Sequence, residues 1–223
     1  MITLRSLVAL MAAVSCQMPP SPAEAGAWPR KDGEWFISIQ ATQDWGNWVN
    51  YPKVSTYLEY GLTDVWTIGG RIEHDLQTYE TSEAELFVRR AFPTVLTWQL
   101  AAGMTFSETT EGTLSFKPSF HLGKGFETRW GNGWMDALIK VELPVEEGAG
   151  SVGAFAQIGL KPHECLLTMI SVDAHADKFN TTVKLLPSLA WEVRPGRHIQ
   201  VEWSETVTPA PEGKLSLGIW MSF

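Results

Sequence analysis

Residues 214–223 read Lys-Leu-Ser-Leu-Gly-Ile-Trp-Met-Ser-Phe. In an extended chain Leu215, Leu217, Ile219, Met221 and Phe223 share one face, and Lys214, Ser216, Gly218, Trp220 and Ser222 share the other. A period of two marks a strand with unlike faces. The apolar alternation runs to Phe223 without a break, which is unusual for a strand of a soluble protein.

The same pattern recurs upstream. Ile199, Val201 and Trp203 alternate with His198, Gln200, Glu202 and Ser204. Met135, Ala137, Ile139, Val141 and Leu143 alternate with Asp136, Lys140 and Glu142, and Leu114, Phe116, Pro118, Phe120 and Leu122 with Ser115, Lys117, Ser119 and His121. Nearer the start, Trp66, Ile68 and Ile72 oppose Thr67, Arg71, Glu73 and Asp75, and Val54, Leu58 and Tyr60 oppose Ser55 and Glu59. Twelve strands are expected, over 33–43, 52–60, 65–75, 83–91, 94–105, 113–121, 133–143, 151–160, 164–173, 181–191, 197–205 and 213–223. The pattern is least distinct at 83–91, where Arg89 and Arg90 adjoin so that one must face outward or lie at a rim, and at 164–173, which is too evenly apolar to divide into faces. Pro118 and Pro187 each remove a backbone donor inside a strand and predict a bulge or a local break in pairing.

Such a sheet must hide one apolar face and two open edges. Closure removes the edges, and in hydrocarbon closure is compulsory because an unpaired amide costs several kcal/mol. The fold expected is therefore an all-β, closed, up-and-down antiparallel transmembrane barrel spanning residues 26–223. Its lumen would be lined by Glu59, Arg71, Glu73, Lys117, His121, Asp136, Lys140, Glu142, Lys184, His198 and Glu202. Eleven tryptophans in 223 residues suit interfacial girdles, with Trp35, Trp66, Trp98, Trp130, Trp134, Trp191 and Trp203 near strand ends or on lipid faces.

The connections alternate in length. Gly61–Asp64, Phe92–Pro93, Lys161–His163 and Arg194–Gly196 are tight, beside Arg89, Arg90, Lys161, Arg194 and Arg197. The stretches near Asp44–Tyr51, Gln77–Ser82, Ser107–Gly112, Pro144–Gly150, Ala174–Asn180 and Thr206–Glu212 are longer and carry Glu80, Glu108, Glu111, Glu146, Glu147, Asp177 and Glu212. Short turns at one end and long loops at the other place the turns in the periplasm and the acidic loops outside. The connection Leu122–Asn132 breaks the rule, being long on the short-turn side.

Residues 1–25 read as a cleaved secretory signal: Arg5, a short apolar run from Leu7 to Val14, and Ala23-Glu24-Ala25 ahead of Gly26. Ala13-Val14-Ser15-Cys16 loosely matches a lipoprotein processing site, a rival route. The chain carries 17 basic and 25 acidic residues, net −8. Loss of residues 1–25 removes one charge of each sign, Arg5 and Glu24, and leaves that balance. Nucleic acid and anionic lipid are disfavoured as partners. Cys165 would be the one cysteine left, too few for an intrachain disulfide.

The terminal strand Leu215-x-Leu217-x-Ile219-x-Met221-x-Phe223 resembles that of bacterial outer-membrane β-barrels, the porin-like class. The resemblance implies that these five residues form the signal read by the barrel-assembly machinery, and that the chain resides in outer-membrane lipid. The opening Gly26-Ala27-Trp28-Pro29-Arg30 with Gly33-Glu34-Trp35 is similar to a group of short uncharacterised outer-membrane proteins of proteobacteria. Neither resemblance names a substrate.

Residue chemistry offers little towards an enzyme. Some outer-membrane barrels are lipases or acylases that use His with Ser; His121 and Ser119 share a face here, but they copy no motif of those enzymes. His198 and Ser204 share a face too, but six residues of strand hold them roughly 20 Å apart. The histidines lack metal-ligand spacing, and His175-Ala176-Asp177 is the nearest approach to one. Gly123-Lys124-Gly125 lacks the strand–loop–helix setting of a phosphate cradle. No catalytic residue, metal or cofactor is expected. The mixed-sign lumen points to passive passage of small solutes, with a plugged structural or surface-interaction barrel, or a lipid-modifying enzyme, as alternatives.

Overall fold

The computed structural model describes residues 26–45, 52–146 and 148–223. The expected leader, residues 46–51 of the first long loop and Glu147 lie outside the described residues. Twelve strands follow in order: β1 Trp35–Asp44, β2 Lys53–Gly61, β3 Trp66–Asp75, β4 Glu80–Val95, β5 Trp98–Thr109, β6 Leu114–Thr128, β7 Gly131–Pro144, β8 Ser151–His163, β9 Leu166–Ala176, β10 Thr181–Arg194, β11 Arg197–Thr208 and β12 Glu212–Ser222. Each pairs antiparallel with its sequence neighbours, and β1 pairs with β12, so the sheet is a closed up-and-down barrel. Two further bonds complete the seam: the Trp35 N–H donates to the Phe223 carbonyl at 2.8 Å and the Phe223 N–H to the Trp35 carbonyl at 3.2 Å.

The barrel inverts the burial pattern of a soluble protein. Glu59, Thr67, Arg89, Ser107, Ser115, Lys117, Asp136, Ser171, Ser188 and Ser216 are buried inside. The alternate positions are exposed and apolar, with Leu86 72% and Leu217 55% accessible. In β12 the outer residues are Leu215, Leu217, Ile219, Met221 and Phe223. They form part of an apolar belt far beyond the patch a water-soluble monomer tolerates. The belt faces lipid, and the fold is a transmembrane barrel.

Several strands are longer than the alternation alone predicts, because pairing continues through polar residues beyond the apolar belt. The Phe92–Pro93 turn is not one: β4 runs through both to Val95, with a register shift between Phe92 and Val95. The chain reverses at Leu96 and Thr97, at φ 49° and 73°. A two-residue hairpin turn of this hand needs left-handed backbone at both positions, normally signalled by Asn or Gly. Leu-Thr carries no such signal. Likewise Leu122–Asn132 is not a long connection. β6 reaches Thr128 and β7 starts at Gly131, leaving Arg129 and Trp130 as the turn, so every connection at this end is short; at the other end the strands also run into the expected loops, leaving only 76–79, 110–113, 177–180 and 209–211 between them, so the expected contrast in length rests on 45–52 and 145–150. The turn expected at Lys161–His163 sits at Glu164 and Cys165. Neither internal proline shifts the register. Pro118 has no partner on β7 and Pro187 none on β11, and pairing resumes in step on either side.

Aromatic residues ring both rims. At the short-turn end the Trp35 and Tyr60 rings lie 4.5 Å apart. There Arg90 turns outward over Trp66 and Phe92 at 5.5 and 5.8 Å, Lys124 over Trp98 at 5.2 Å, and Arg129 over Trp130 at 4.2 Å. Such cations rest on ring faces while their heads reach the interface. At the long-loop end Trp45 meets Trp203 edge-on at 5.2 Å. Trp134 departs from the girdle expected of it. Its position on β7 shares a face with Asp136, and the ring is buried in the lumen against Leu167, Met169 and Ala190. That same inner set settles the faces of β9.

Candidate functional site

Among the described residues the lumen gathers a network of buried and half-buried ion pairs, and its two walls differ. From β2 to β7 the wall is ionic. Arg71 Nε lies 2.9 Å from Glu85, and its guanidinium also pairs with Glu83. Lys117 Nζ reaches Glu83, Glu85 and Glu142 at 2.8, 3.0 and 3.5 Å, and Lys53 pairs with Glu73 at 3.3 Å. From β8 round to β1 charges are fewer, among them Lys184, Glu202 and a Lys214–Asp44 pair at 3.1 Å, and amide, hydroxyl and indole bonds stand between them. Trp134 Nε1 donates to Gln157 at 3.3 Å, Gln157 Nε2 to Ser171 at 2.9 Å and Trp220 Nε1 to Gln200 at 2.9 Å, and Thr42 and Ser216 share a bond at 2.8 Å.

A segment ahead of the first strand enters this lumen. Residues 31–34 turn at the short-turn rim, where the Gly33 N–H donates to the Gly61 carbonyl at 3.0 Å and the Gly61 N–H to the Glu34 carbonyl at 2.9 Å. Residues 30 to 26 then cross the inside. The Arg30 N–H donates to Thr67 Oγ1 at 3.1 Å, and the Ala27 N–H to Asp136 Oδ1 at 3.3 Å. Trp28 packs with Trp220 on the Trp134–Leu167–Met169–Ala190 cluster. Two inner glycines make the room. A Cβ on Gly61 would lie 1.9 Å from the Lys31 carbonyl oxygen, and one on Gly123 would lie 2.5 Å from the Trp28 ring.

The segment is latched at Glu59. Its carboxylate accepts from Arg30 Nε at 2.5 Å, Arg89 Nη2 at 2.8 Å and the Tyr57 hydroxyl at 2.5 Å. Arg30 is 3% accessible, and its guanidinium stacks 4.4 Å from the Phe36 ring centroid. Burying charge is tolerated where partners fill the remaining lone pairs, as they do on this carboxylate.

All eleven residues expected to line the lumen lie on the inward-facing register. Arg71, Glu73, Lys117 and Glu142 join one network. His121, Lys140, Arg89, Tyr57 and Lys117 border a cavity of about 150 Å³, and Asp136 binds the entering segment. Lys184, His198 and Glu202 stand apart on β10 and β11, with His198 4.0 Å from Glu192 and Glu202 3.5 Å from Gln200. Sequence reasoning passed over Tyr57, Glu83, Glu85, Arg89 and Arg30. The alternation Glu83-x-Glu85-x-Phe87-x-Arg89 could have revealed three of them. Arg30 lies outside any strand and gave no signal.

The catalytic possibilities take definite form. Ser119 Oγ and His121 Nε2 lie 3.1 Å apart, yet His121 Nδ1 has no partner among the described residues, so no carboxylate orients the ring. Ser204 and His198 face different β12 residues, Lys214 and Trp220, and do not meet. Asp177 Oδ1 is taken by the Phe179 and Asn180 N–H groups at 2.6 and 2.7 Å. These bonds hold its carboxyl below the ordinary range. Among the described residues no three His, Cys, Asp or Glu side chains converge as a metal-binding group. Gly123 and Lys124 belong to β6, one facing Trp28 and the other outward over Trp98.

Among solved structures, the chain resembles the KdgM porin with a TM-score of 0.68 and 7% identity, covering 84% of this chain and 99% of that one. The fold is that of the bacterial outer-membrane porin barrels. The NanC porin aligns with a TM-score of 0.64 at 9% identity, over 83% of this chain and 98% of its own. An outer membrane channel from Pseudomonas putida F1 aligns with a TM-score of 0.59 at 12% identity, over 92% and 100%. The sequence matches no protein-family model and no curated protein. At these identities the likeness to porins is one of fold.

Proposed function

We propose that this chain is an outer-membrane pore for passive passage of small polar solutes, narrowed at its short-turn end by residues 26–30. The carrying observation is the charged lumen, densely ion-paired from β2 to β7 and carrying fewer charges among amides and hydroxyls from β8 to β1. A barrel needed only as a scaffold gains little from keeping so many charges inside, where each must be matched. The porin fold supports the reading. The KdgM porin has been solved with oligogalacturonate, an acidic saccharide. Here the lumenal cations Arg71, Arg89 and Lys117 are spent on Glu59, Glu83 and Glu85, so weak charge selectivity is the expectation. The short turns would face the periplasm and the acidic loops the exterior. The lipid partner is the outer membrane, and β12 is the segment the assembly machinery would read. Conductance of the refolded barrel in planar bilayers tests the proposal. Discrete channels, wider when residues 26–31 are deleted, support it.

A second reading is a sealed barrel with a structural or surface role, favoured by the segment across the lumen. It requires that the intact folded barrel stay silent, with channels appearing only when residues 26–31 are deleted, or not at all.

A further inference from the structure

The end of the lumenal segment stands in a site shaped for something the intact peptide bond does not provide. Asp136, 6% accessible, accepts the Ala27 N–H at 3.3 Å and also the Gly26 N–H. His121, 8% accessible, points Nδ1 to within 2.7 Å of where a Gly26 Cβ would sit, and that nitrogen has no partner among the described residues. An inner carboxylate therefore takes the Gly26 N–H, and an unpaired, buried imidazole nitrogen stands beside the Gly26 Cα. Ahead of it lies a cavity of about 150 Å³.

We propose that the chain is cut between Ala25 and Gly26, and that the α-ammonium so created is bound in the lumen by Asp136 and His121. A signal-peptidase-class endopeptidase adds water across the Ala25–Gly26 peptide bond. The hydroxyl stays on the Ala25 carbonyl carbon, the C–N bond breaks, and the Gly26 nitrogen gains protons to become an ammonium at neutral pH. Its three donors meet the carboxylate of Asp136 and the lone pair on His121 Nδ1, while His121 Nε2 stays with Ser119. Arg89 lies 3.6 Å from the Gly26 Cβ position, and Lys117 and Lys140 border the adjoining cavity; Glu59 compensates Arg89 and Glu85 compensates Lys117. Glycine is needed at this end because any side chain would strike His121. Processing thus installs the segment: before the cut the amide offers one donor, and after it the chain end is ion-paired inside the wall.

The experiment uses the full chain, exported, purified in detergent as folded barrel, and read by mass. The intact mass should correspond to residues 26–223. A neutral-pH amine-acylating reagent then reports on the chain end through the tryptic peptide Gly26–Arg30. Labelling should be slower by about tenfold or more in the folded barrel than in urea, in line with loss of a charge-assisted bond. Asp136→Asn should recover most of that factor while the barrel remains heat-modifiable on gels. His121→Gln is the second variant if the first does not fold. A mature chain beginning elsewhere, such as at a lipidated Cys16, overturns the proposal. So does an α-amine that labels as fast in the folded protein as in urea, or one equally shielded in the folded Asp136 or His121 variant. None of these readouts depends on conductance, so the transport reading stands or falls separately.

Discussion

Arg30 Nε lies 2.5 Å from Glu59 Oε2, which ties a residue outside every strand to the inner wall of the barrel. The bond is one of three on that carboxylate, so its two ends are not equivalent. Arg30→Ala leaves Glu59 paired with Arg89 and Tyr57. Glu59→Gln strips the shared anion from two buried guanidinium groups at once. Removing one partner of a buried pair costs about 3–5 kcal/mol. Here the strand ladder holds the barrel regardless, so the cost should fall on the lumenal segment. Hydrogen exchange in residues 26–31 should speed up in both variants, and more in Glu59→Gln, with single-channel conductance rising in the same order. Equal effects would mean that Arg89 and Tyr57 do not share the latch.

Gly123 offers a steric test of the same segment. Its Cβ position is 2.5 Å from the Trp28 ring and 2.7 Å from the Ala27 Cβ, whereas at Gly125 the nearest atom is 4.0 Å away. Gly123→Leu should push Trp28 off the inner wall without disturbing β6, whose register is set by its neighbours. Gly125→Ala should change nothing. Indole fluorescence and iodide quenching follow the displacement, and unchanged quenching in a folded Gly123→Leu barrel would count against the packing of Trp28.

Strand number, topology and inward faces were legible because lipid on one side and a polar lumen on the other impose a strict period of two, as in Met135–Leu143. Reading failed where that constraint lapses. Beyond the apolar belt, pairing continues through Glu127, Thr128 and Asn132 with no hydrophobic signal to mark it. The turn at Leu96–Thr97 uses residues that ordinarily avoid left-handed backbone. Trp134 faces inward because Gly159 on β8 leaves space for its ring, with a Cβ position only 2.1 Å away. That is a property of a register, invisible in one strand alone. The lumenal segment is the largest omission. Nothing in Gly-Ala-Trp-Pro-Arg says that two glycines, 35 and 97 positions away from Gly26, have been kept small for it.

Loop order at the long-loop end should depend on pH through Asp177. Its carboxylate accepts the Phe179 and Asn180 N–H groups, which favour the charged form and lower its pKa from 3.8. A group with a depressed folded pKa contributes above its unfolded pKa and loses that contribution as pH falls through the folded one. The turn at 177–180 should therefore be intact at neutral pH and loosen only under acid, below 3.8. Amide exchange at Phe179 and Asn180 checks this. Asp177→Ala should remove the protection at every pH, and protection that instead increased on acidification would contradict the assignment.

The belt makes the sharpest demand on the strand that decides the fold. Ile219 faces outward and pairs on both sides, with Ile39 and Ile199, so Ile219→Arg sets a guanidinium against hydrocarbon without breaking a backbone bond. Near the bilayer midplane this costs about 2–4 kcal/mol. Ser216, three residues earlier on β12, points inward, and Ser216→Ala removes one lumenal hydroxyl bond, to Thr42, worth about 1 kcal/mol. Urea unfolding from lipid vesicles should separate the two by at least that difference. Deleting Phe223 probes assembly instead. It removes the last pair of seam bonds, to Trp35, and the terminal aromatic. It should cut the yield of heat-modifiable barrel in cells while leaving the unfolding midpoint of the molecules that do fold nearly unchanged. If Ile219→Arg were as benign as Ser216→Ala, the exposed face of β12 would be in contact with water or protein, and the membrane assignment of the whole belt would fail with it.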